Sequence, residues 1–420
     1  MGEWLARLPD RRDPVWVTYP LRHVFWVGVF LFLFKLQARR QVKFLLHQPG
    51  ILAHINRITH GRNDTVTHGD NLEKILRWLP WQDLASIRTE MMRRLLRMKA
   101  LCGYRLLDRD YIIAVDGTGV VCFEKRHCKR CLTKTSNGKT VYYHPVLEAK
   151  LVTSTGLALS LETEFIENPE IGHENGKEKM KQDCELKAFY RMAARLKENF
   201  PQLRICLVLD ALYAAKGVFD VCKKNQWRFI ITFKKGSMPA TYEDTLRMEK
   251  FQEENRITYR PDGKIQTFRW VNEIVYGDHV LHAIHCTEEK PNAKPLTFAW
   301  ITNINASNRN VIQIANQGGR QRWKIENQGF NMQKNGGYNL EHAYSHHDNA
   351  GKNYYLLLQI AHIINQLIEK GSLLKNIRQA CGSIKNIAPL LLESIRNHPL
   401  SDQEYEALFR KPFQIRLNTS

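Results

Sequence analysis

Three carboxylates stand where this sequence best supports chemistry: Asp116 in "AVDGTG", Asp210 closing "LVLD", and Glu326 inside "GRQRWKIENQGFNMQK". The two aspartates follow apolar runs, so each is expected at the rim of a buried sheet, where ligands gather in α/β folds. Glu326 sits in a helical pattern among Arg320, Arg322, Lys324 and Lys334. Three converging acids offer hard oxygen ligands suited to Mg²⁺ or Mn²⁺, cations that keep part of their water shell and share phosphate oxygens with a substrate. Two such ions, roughly 4 Å apart, activate an attacking oxygen on one side and stabilise a leaving oxygen on the other. The neighbouring cations would hold a phosphate backbone close, and Arg322, one helical turn before Glu326, shares its face. Taken singly, the same acids also suit a turn residue, a helix cap and a helix ion pair with Arg322.

A second constellation lies in "HCKRCLTKTSNGKTVYYH". Cys128 and Cys131 form a C-x2-C pair, His127 adjoins it and His144 follows thirteen residues after Cys131. Zn²⁺ takes thiolate and imidazole ligands from two converging segments; the spacing places Cys128, Cys131 and His144 and leaves the fourth ligand open. The other reading is a strand-linking loop with free thiols, its lysines turned to a polyanion. His342, His346 and His347 follow the Glu326 segment and read as phosphate contacts, proton carriers or solvated loop residues. Glu162, Glu164 and Glu167 lie on or after a strand, with Glu164 as an auxiliary acid.

These residues require particular elements to position them. From about residue 14 to 105, apolar residues recur at spacings of three and four with Arg and Lys between them, the pattern of a basic helical module. From Tyr111 the period changes: "YIIAVDGTGVVCFE" predicts a strand, a turn carrying Asp116, Gly117 and Gly119, and a second strand, and "VLEAKLVTSTGLALSLETEFI" predicts two more around Ser154 to Gly156. A polar stretch, a helix ending at Pro201, the strand "LRICLVLD", a helix and the strand "WRFIITFKKG" follow. Strands, helix, strand, helix, strand is the order of an α/β domain. Residues 242–302 carry short β-like runs between Pro, Gly and Asp signals, and the helical pattern then returns.

The expected organisation is a helical N-terminal domain over 1–105 able to bind DNA ends, an α/β domain over 106–240 and 303–370, a β-rich insertion over 241–302, and a helical tail over 371–420. Lys and Arg number 62 against 42 Asp and Glu, a net charge of +20 spread along the chain, which makes a polyanion, nucleic acid first, the expected partner. Nine cysteines, mostly isolated within apolar runs, read as thiols of a reducing cytoplasm. The run Val24 to Phe34 has about half the length of a spanning helix and is expected as a buried helix.

The Asp after the first strand, the Asp after "LVLD" and "RWKIE" on a later helix together resemble the RNase H-like DDE transposases of bacterial insertion sequences. The group concerned is the family-four type, whose last carboxylate lies in a Tyr-x2-Arg-x3-Glu-x6-Lys signature. The resemblance spans about Tyr111 to Gln366, and the β-rich stretch matches that group's insertion between the second and third acids. Arg322 and Glu326 occupy the signature's Arg and Glu; Gly319 stands at the Tyr position and Gln333 at the Lys position, with Lys334 one residue later. In an ideal helix that step moves the lysine about 100° around the axis.

The resemblance implies an RNase H-like mixed sheet flanked by helices, with Asp116, Asp210 and Glu326 as catalytic metal ligands. Arg320, Arg322, Lys324 and Lys334 are the expected DNA contacts. It also implies cut-and-paste transposition of double-stranded DNA by a homodimer in the bacterial cytoplasm: metal-dependent hydrolysis at element ends, then attack of the freed 3′-hydroxyl on target DNA. Members of the group hold a flipped base on an aromatic of the insertion; Trp270 and Trp300 are the candidates here, with core packing as the other reading of each. The rival functions are an RNase H-like nuclease that never joins strands and a catalytically silent DNA-binding relic.

Overall fold

The computed structural model describes residues 4–5, 8–169, 182–374, 380–382, 384–410 and 416–417, and the polar stretch expected after Glu167 lies mostly outside them. The chain is mixed α/β, built on a ten-stranded sheet that contains both parallel and antiparallel pairs.

The N-terminal region forms helices α1 (Leu21–Leu33), α2 (Pro49–Thr59), α3 (Gly69–Trp78) and α4 (Trp81–Arg97). The apolar run expected as a buried helix is α1, where nearly every side chain is buried, as an all-round apolar helix must be. Among the described residues, no helix is long and apolar enough to cross a membrane.

The sheet comprises β1 (Tyr111–Phe123), β2 (Leu132–Ser136), β3 (Lys139–Val152), β4 (Ala158–Phe165), β5 (Ile205–Leu209), β6 (Arg228–Thr232), β7 (Arg256–Tyr259), β8 (Ile265–Tyr276), β9 (His279–Glu289) and β10 (Leu296–Thr302). Between them lie α5 (Glu185–Asn199), α6 (Lys216–Asn225) and α7 (Pro239–Met248); α8 (Asn331–Asn335), α9 (Asp348–Lys370), α10 (Ile384–Asn397) and α11 (Asp402–Arg410) follow. The strand order is β2-β3-β1-β5-β6-β10-β9-β8-β7, with β4 beside the second half of β3. β1, β3 and β4 run antiparallel; β5 and β6 continue from β1 in parallel.

Two sequence expectations change. "YIIAVDGTGVVCFE" does not turn at Asp116: β1 runs unbroken to Phe123 and pairs with β3 along its length, with an irregularity only between Gly119 and Val121. The glycines are extended because β3 supplies a full ladder on that edge, which outweighs their preference for a turn. The hairpin lies further on, where Asn137 and Gly138 both take positive φ and join β2 to β3, the two-residue Asn-Gly turn matched to strand twist. The β-rich stretch carries the strands expected of it, and β10 pairs with β6, so these strands extend the central sheet.

Alternation along β1 divides the core. Ile113 and Val115 face a large cluster that includes α5, α6, α9 and the N-terminal helices; Ile112 and Ala114 face a smaller one. The second cluster is closed by residues 311–330, whose Ile314, Ala315, Ile325 and Phe330 pack on Ile112, Ala114, Cys206, Val208 and Ile230. This segment, expected as one helix, is interrupted by two wide turns over Gln313–Gly318 and Ile325–Phe330. In the second, the Asn331 N–H donates to the Glu326 carbonyl, an i→i+5 bond that characterises the π-helix.

Candidate functional site

Sheet register brings the two aspartates together. β1 and β5 are parallel neighbours with Ala114 opposite Val208, so Asp116 and Asp210, each two residues on, stand abreast on the face that residues 311–330 cover. Asp210 leaves its strand as expected and caps the short turn Ala211–Tyr213, its Oδ1 accepting the Leu212 N–H at 2.9 Å. Asp116 lies within β1 rather than at its end, and its Oδ1 accepts the Gly117 N–H at 3.0 Å.

Glu326 arrives from the second wide turn, anchored by the buried Ile325 on one side and by Phe330 at its end. Arg322 lies between the acids: its Nη1 is 3.0 Å from Glu326 Oε1 and 3.6 Å from Asp116 Oδ2. Burial and the adjacent Glu326 carboxylate push the Asp116 carboxyl up to about 7, against the opposing pull of Arg322. The Arg322 guanidinium in turn lies over the ring of Trp323, 4.5 Å from its centroid.

A fourth acid, absent from the sequence reading, joins them. Glu185 opens α5 and reaches the rim between the aspartates: it raises the Asp116 carboxyl, and Asp210 in turn raises that of Glu185, after burial as the larger cause. Gly117 makes room for it, since a Cβ there would lie 2.8 Å from Glu185 Oε2. The fully buried Tyr213 donates its hydroxyl to Glu185 Oε1 at 2.7 Å, fixing the carboxylate. No local motif marks Glu185, because it enters the site through the packing of α5 beside β1.

Comparison with protein-family models and with curated proteins finds no match. The assignment of this site therefore rests on its geometry.

The wide turns explain both departures from the signature. Gln333 is fully buried, donating to Gln359 at 2.8 Å and meeting His362 at 2.9 Å, so a lysine at that position would bury its charge. A π-turn takes up one extra residue, about the 100° that a residue adds in an α-helix, and Lys334 thereby returns to the partly exposed side. There its Nζ pairs with Glu341 at 2.8 Å. Gly319, at the Tyr position, lies against Trp300: a Cβ on it would come within 2.4 Å of the indole nitrogen. The aromatic ring is supplied from β10 in place of the helix's own side chain.

Other expected contacts are corrected. Trp270 and Trp300 are only 2% and 4% exposed, packed in the second cluster with Trp300 stacked on Phe298, so neither presents a face to a base. The aromatic exposed beside the site is Trp323, at 52%. Arg320 turns inward, its guanidinium 2.9 Å from Glu288 and over the Phe298 ring, which removes it from the DNA-contact set. Lys324 is half-buried on the same segment as Glu326. Glu164 is held by Arg191 and Arg195, with Glu162 beside Arg88 and Arg195, so these acids cement α5 and α4 to β4 and are no auxiliary to the aspartates. His342 stacks edge-on to Tyr344, whereas His346 and Glu167 belong with the Cys128 cluster.

Among the described residues, the groups whose candidate ligand atoms close to within 4.8 Å are His127, Cys128 and Cys131, and His144, Glu167 and Asp348. The carboxylates at the sheet rim are more open than either group.

Proposed function

We propose that this chain is a DNA transposase of the DDE type, which cleaves double-stranded DNA at the ends of a mobile element and joins the freed ends to a target. The observation that carries the reading is the register that sets Asp116 beside Asp210 with Glu326 held against Asp116 by the wide-turned segment. Three antiparallel strands continued by two parallel ones, with acids on adjacent central strands, support an RNase H-like core.

The donor set fits divalent cations of the Mg²⁺ or Mn²⁺ class. All the donors are carboxylate oxygens, and the Asp116 carboxyl is raised to about 7 because negative groups crowd it with Arg322 as the near counter-charge. Asp116, Asp210 and Glu326 would hold the ions, with Glu185 beside them. When bound, such ions supply an activated oxygen nucleophile and charge stabilisation at phosphorus.

The residues of the chain do the rest. Arg322 keeps Glu326 oriented toward Asp116 and presents a guanidinium for phosphate oxygens. Tyr213 holds Glu185 in place. Lys324 and Lys334 contact the DNA backbone on the same segment, and Trp323 offers a stacking surface to an unpaired base. The net charge of +20 draws DNA by releasing its counterions. Joining two ends calls for two such sites, hence two copies of the chain.

The test is excision and rejoining in cells of a DNA segment bounded by the repeats that flank the coding region, by wild type and by Glu326→Gln. Excision with reintegration in wild type alone supports the transposase; cutting without joining marks the nuclease, and DNA binding without cutting marks a relic.

A further inference from the structure

We propose that His127, Cys128, Cys131 and His144 bind one structural Zn²⁺ ion that clamps the loop leaving β1 to strand β3. The sequence offers two thiols and His144, and the structure supplies the missing ligand in His127. The ligand atoms of His127, Cys128 and Cys131 lie within 4.8 Å of one another. His144 Nε2 closes on them from the neighbouring strand, 3.3 Å from Cys128 Sγ and 3.1 Å from His127 Nε2. With zinc–sulfur bonds of about 2.3 Å and zinc–nitrogen bonds of about 2.0–2.1 Å, the edges of a tetrahedral site span about 3.3–3.8 Å. The side chains are thus already near the spacing that the ion requires.

The ladder explains why His144 arrives there. It pairs with Val121 near the end of β1, so the strand that carries it is fixed before the loop is. Phe123 covers the His127 ring, 3.9 Å between centroids.

Glu167 and Asp348 form an outer layer. Each has an oxygen within 4.8 Å of a His144 ring nitrogen, but Lys352 Nζ lies 2.7 Å from Glu167 and 3.0 Å from Asp348. Arg130 adds a contact at 3.4 Å to Asp348. Carboxylates so neutralised serve better as acceptors orienting a ligating imidazole than as ligands. Two sulfurs and two nitrogens make a closed set, which assigns the ion to structure rather than catalysis. Its consequence is mechanical. The β2–β3 hairpin springs from this loop, and its exposed Lys134 and Lys139 are held in fixed relation to β1 and to the start of α9.

Full-length protein purified without chelator should contain one zinc per chain by elemental mass spectrometry. Cys128→Ser/Cys131→Ser and His127→Ala/His144→Ala should each fall below about a tenth of that, since each pair removes half of the closed ligand set, while Cys122→Ser, altering an exposed thiol outside it, should keep it. Cobalt-loaded wild type should show the intense visible bands of tetrahedral thiolate coordination, a readout that does not depend on how the variants fold. Zinc-free wild type after zinc addition, full zinc in the His127→Ala/His144→Ala pair, octahedral cobalt, or a Cys128–Cys131 disulfide in native protein would each overturn the proposal.

Discussion

The carboxylate site and the His–Cys cluster hang on one strand, β1, yet they are assembled in opposite ways. The cluster takes three of its four donors from one short loop and the fourth from the adjacent strand, so a few residues of chain bring them within bonding distance. The carboxylates come from β1, β5, α5 and the segment after β10, each positioned by a different packing contact. Burial there raises the Asp116 carboxyl, and Arg322 is interposed between it and Glu326. A site gathered from distant elements keeps like charges near one another only at a cost in stability, whereas a local site of thiols and imidazoles does not face that repulsion. The contrast is between a centre that exchanges substrates and one that holds a loop.

The largest expected effect breaks the first half of this comparison. Asp116→Asn, Asp210→Asn or Glu326→Gln should lower DNA cleavage by about 10³-fold or more, the scale on which losing a catalytic group is felt, with DNA affinity in a gel-shift assay largely kept. Parallel loss of binding would make the acids structural. Glu185→Gln should cost less, about 10–100-fold in cleavage, as expected of a group supporting the ligands. Tyr213→Phe, which frees Glu185 without removing it, should fall short of that. An unchanged rate in Glu185→Gln would remove the fourth acid from the site.

Stability should also separate the two regions. Asp116 is held protonated up to about 7 against an ordinary value of 3.8. Between those values the folded chain binds the extra proton, so stability falls as pH rises through that window. Asp116→Asn abolishes this dependence: its Tm should exceed that of wild type at pH 8 and converge with it at pH 5. Mg²⁺ should raise the wild-type Tm at pH 8 and leave that of Asp116→Asn nearly unchanged. A difference that persists at pH 5 would point to packing instead of charge.

Gly319→Ala forces a Cβ against the Trp300 indole and should destabilise the chain by about 1–3 kcal/mol in denaturant melts. The smallest effect is expected for Lys334→Ala, which should weaken DNA binding modestly for all sequences and reduce the salt slope by about one.

Much of this arrangement was legible in the sequence. The helical N-terminal run, the strands after Tyr111, the short strands of the β-rich stretch and the buried helix at Val24 to Phe34 all follow from periodicity, because burial repeats with the geometry of each element. What escaped was decided by neighbours in space. "DGTG" reads locally as a turn but is held extended by β3. Arg320 and Lys324 look alike in sequence, and only the position of Glu288 shows that Arg320 is turned away. Glu185 and His127 became visible when α5 and β3 were in place, since neither has a partner nearby in the chain that announces its role.

The wide turn at Ile325–Phe330 makes the length of this segment a discrete setting. Removing one residue inside it, Asn327 for instance, would let the coil tighten to an ordinary helix, and the side chain that now points into the core as Gln333 would be replaced by the one that follows it, Lys334. The segment works as a vernier: a single codon lost or gained rotates everything downstream relative to Glu326, while Ile325 and the acid beside it stay seated.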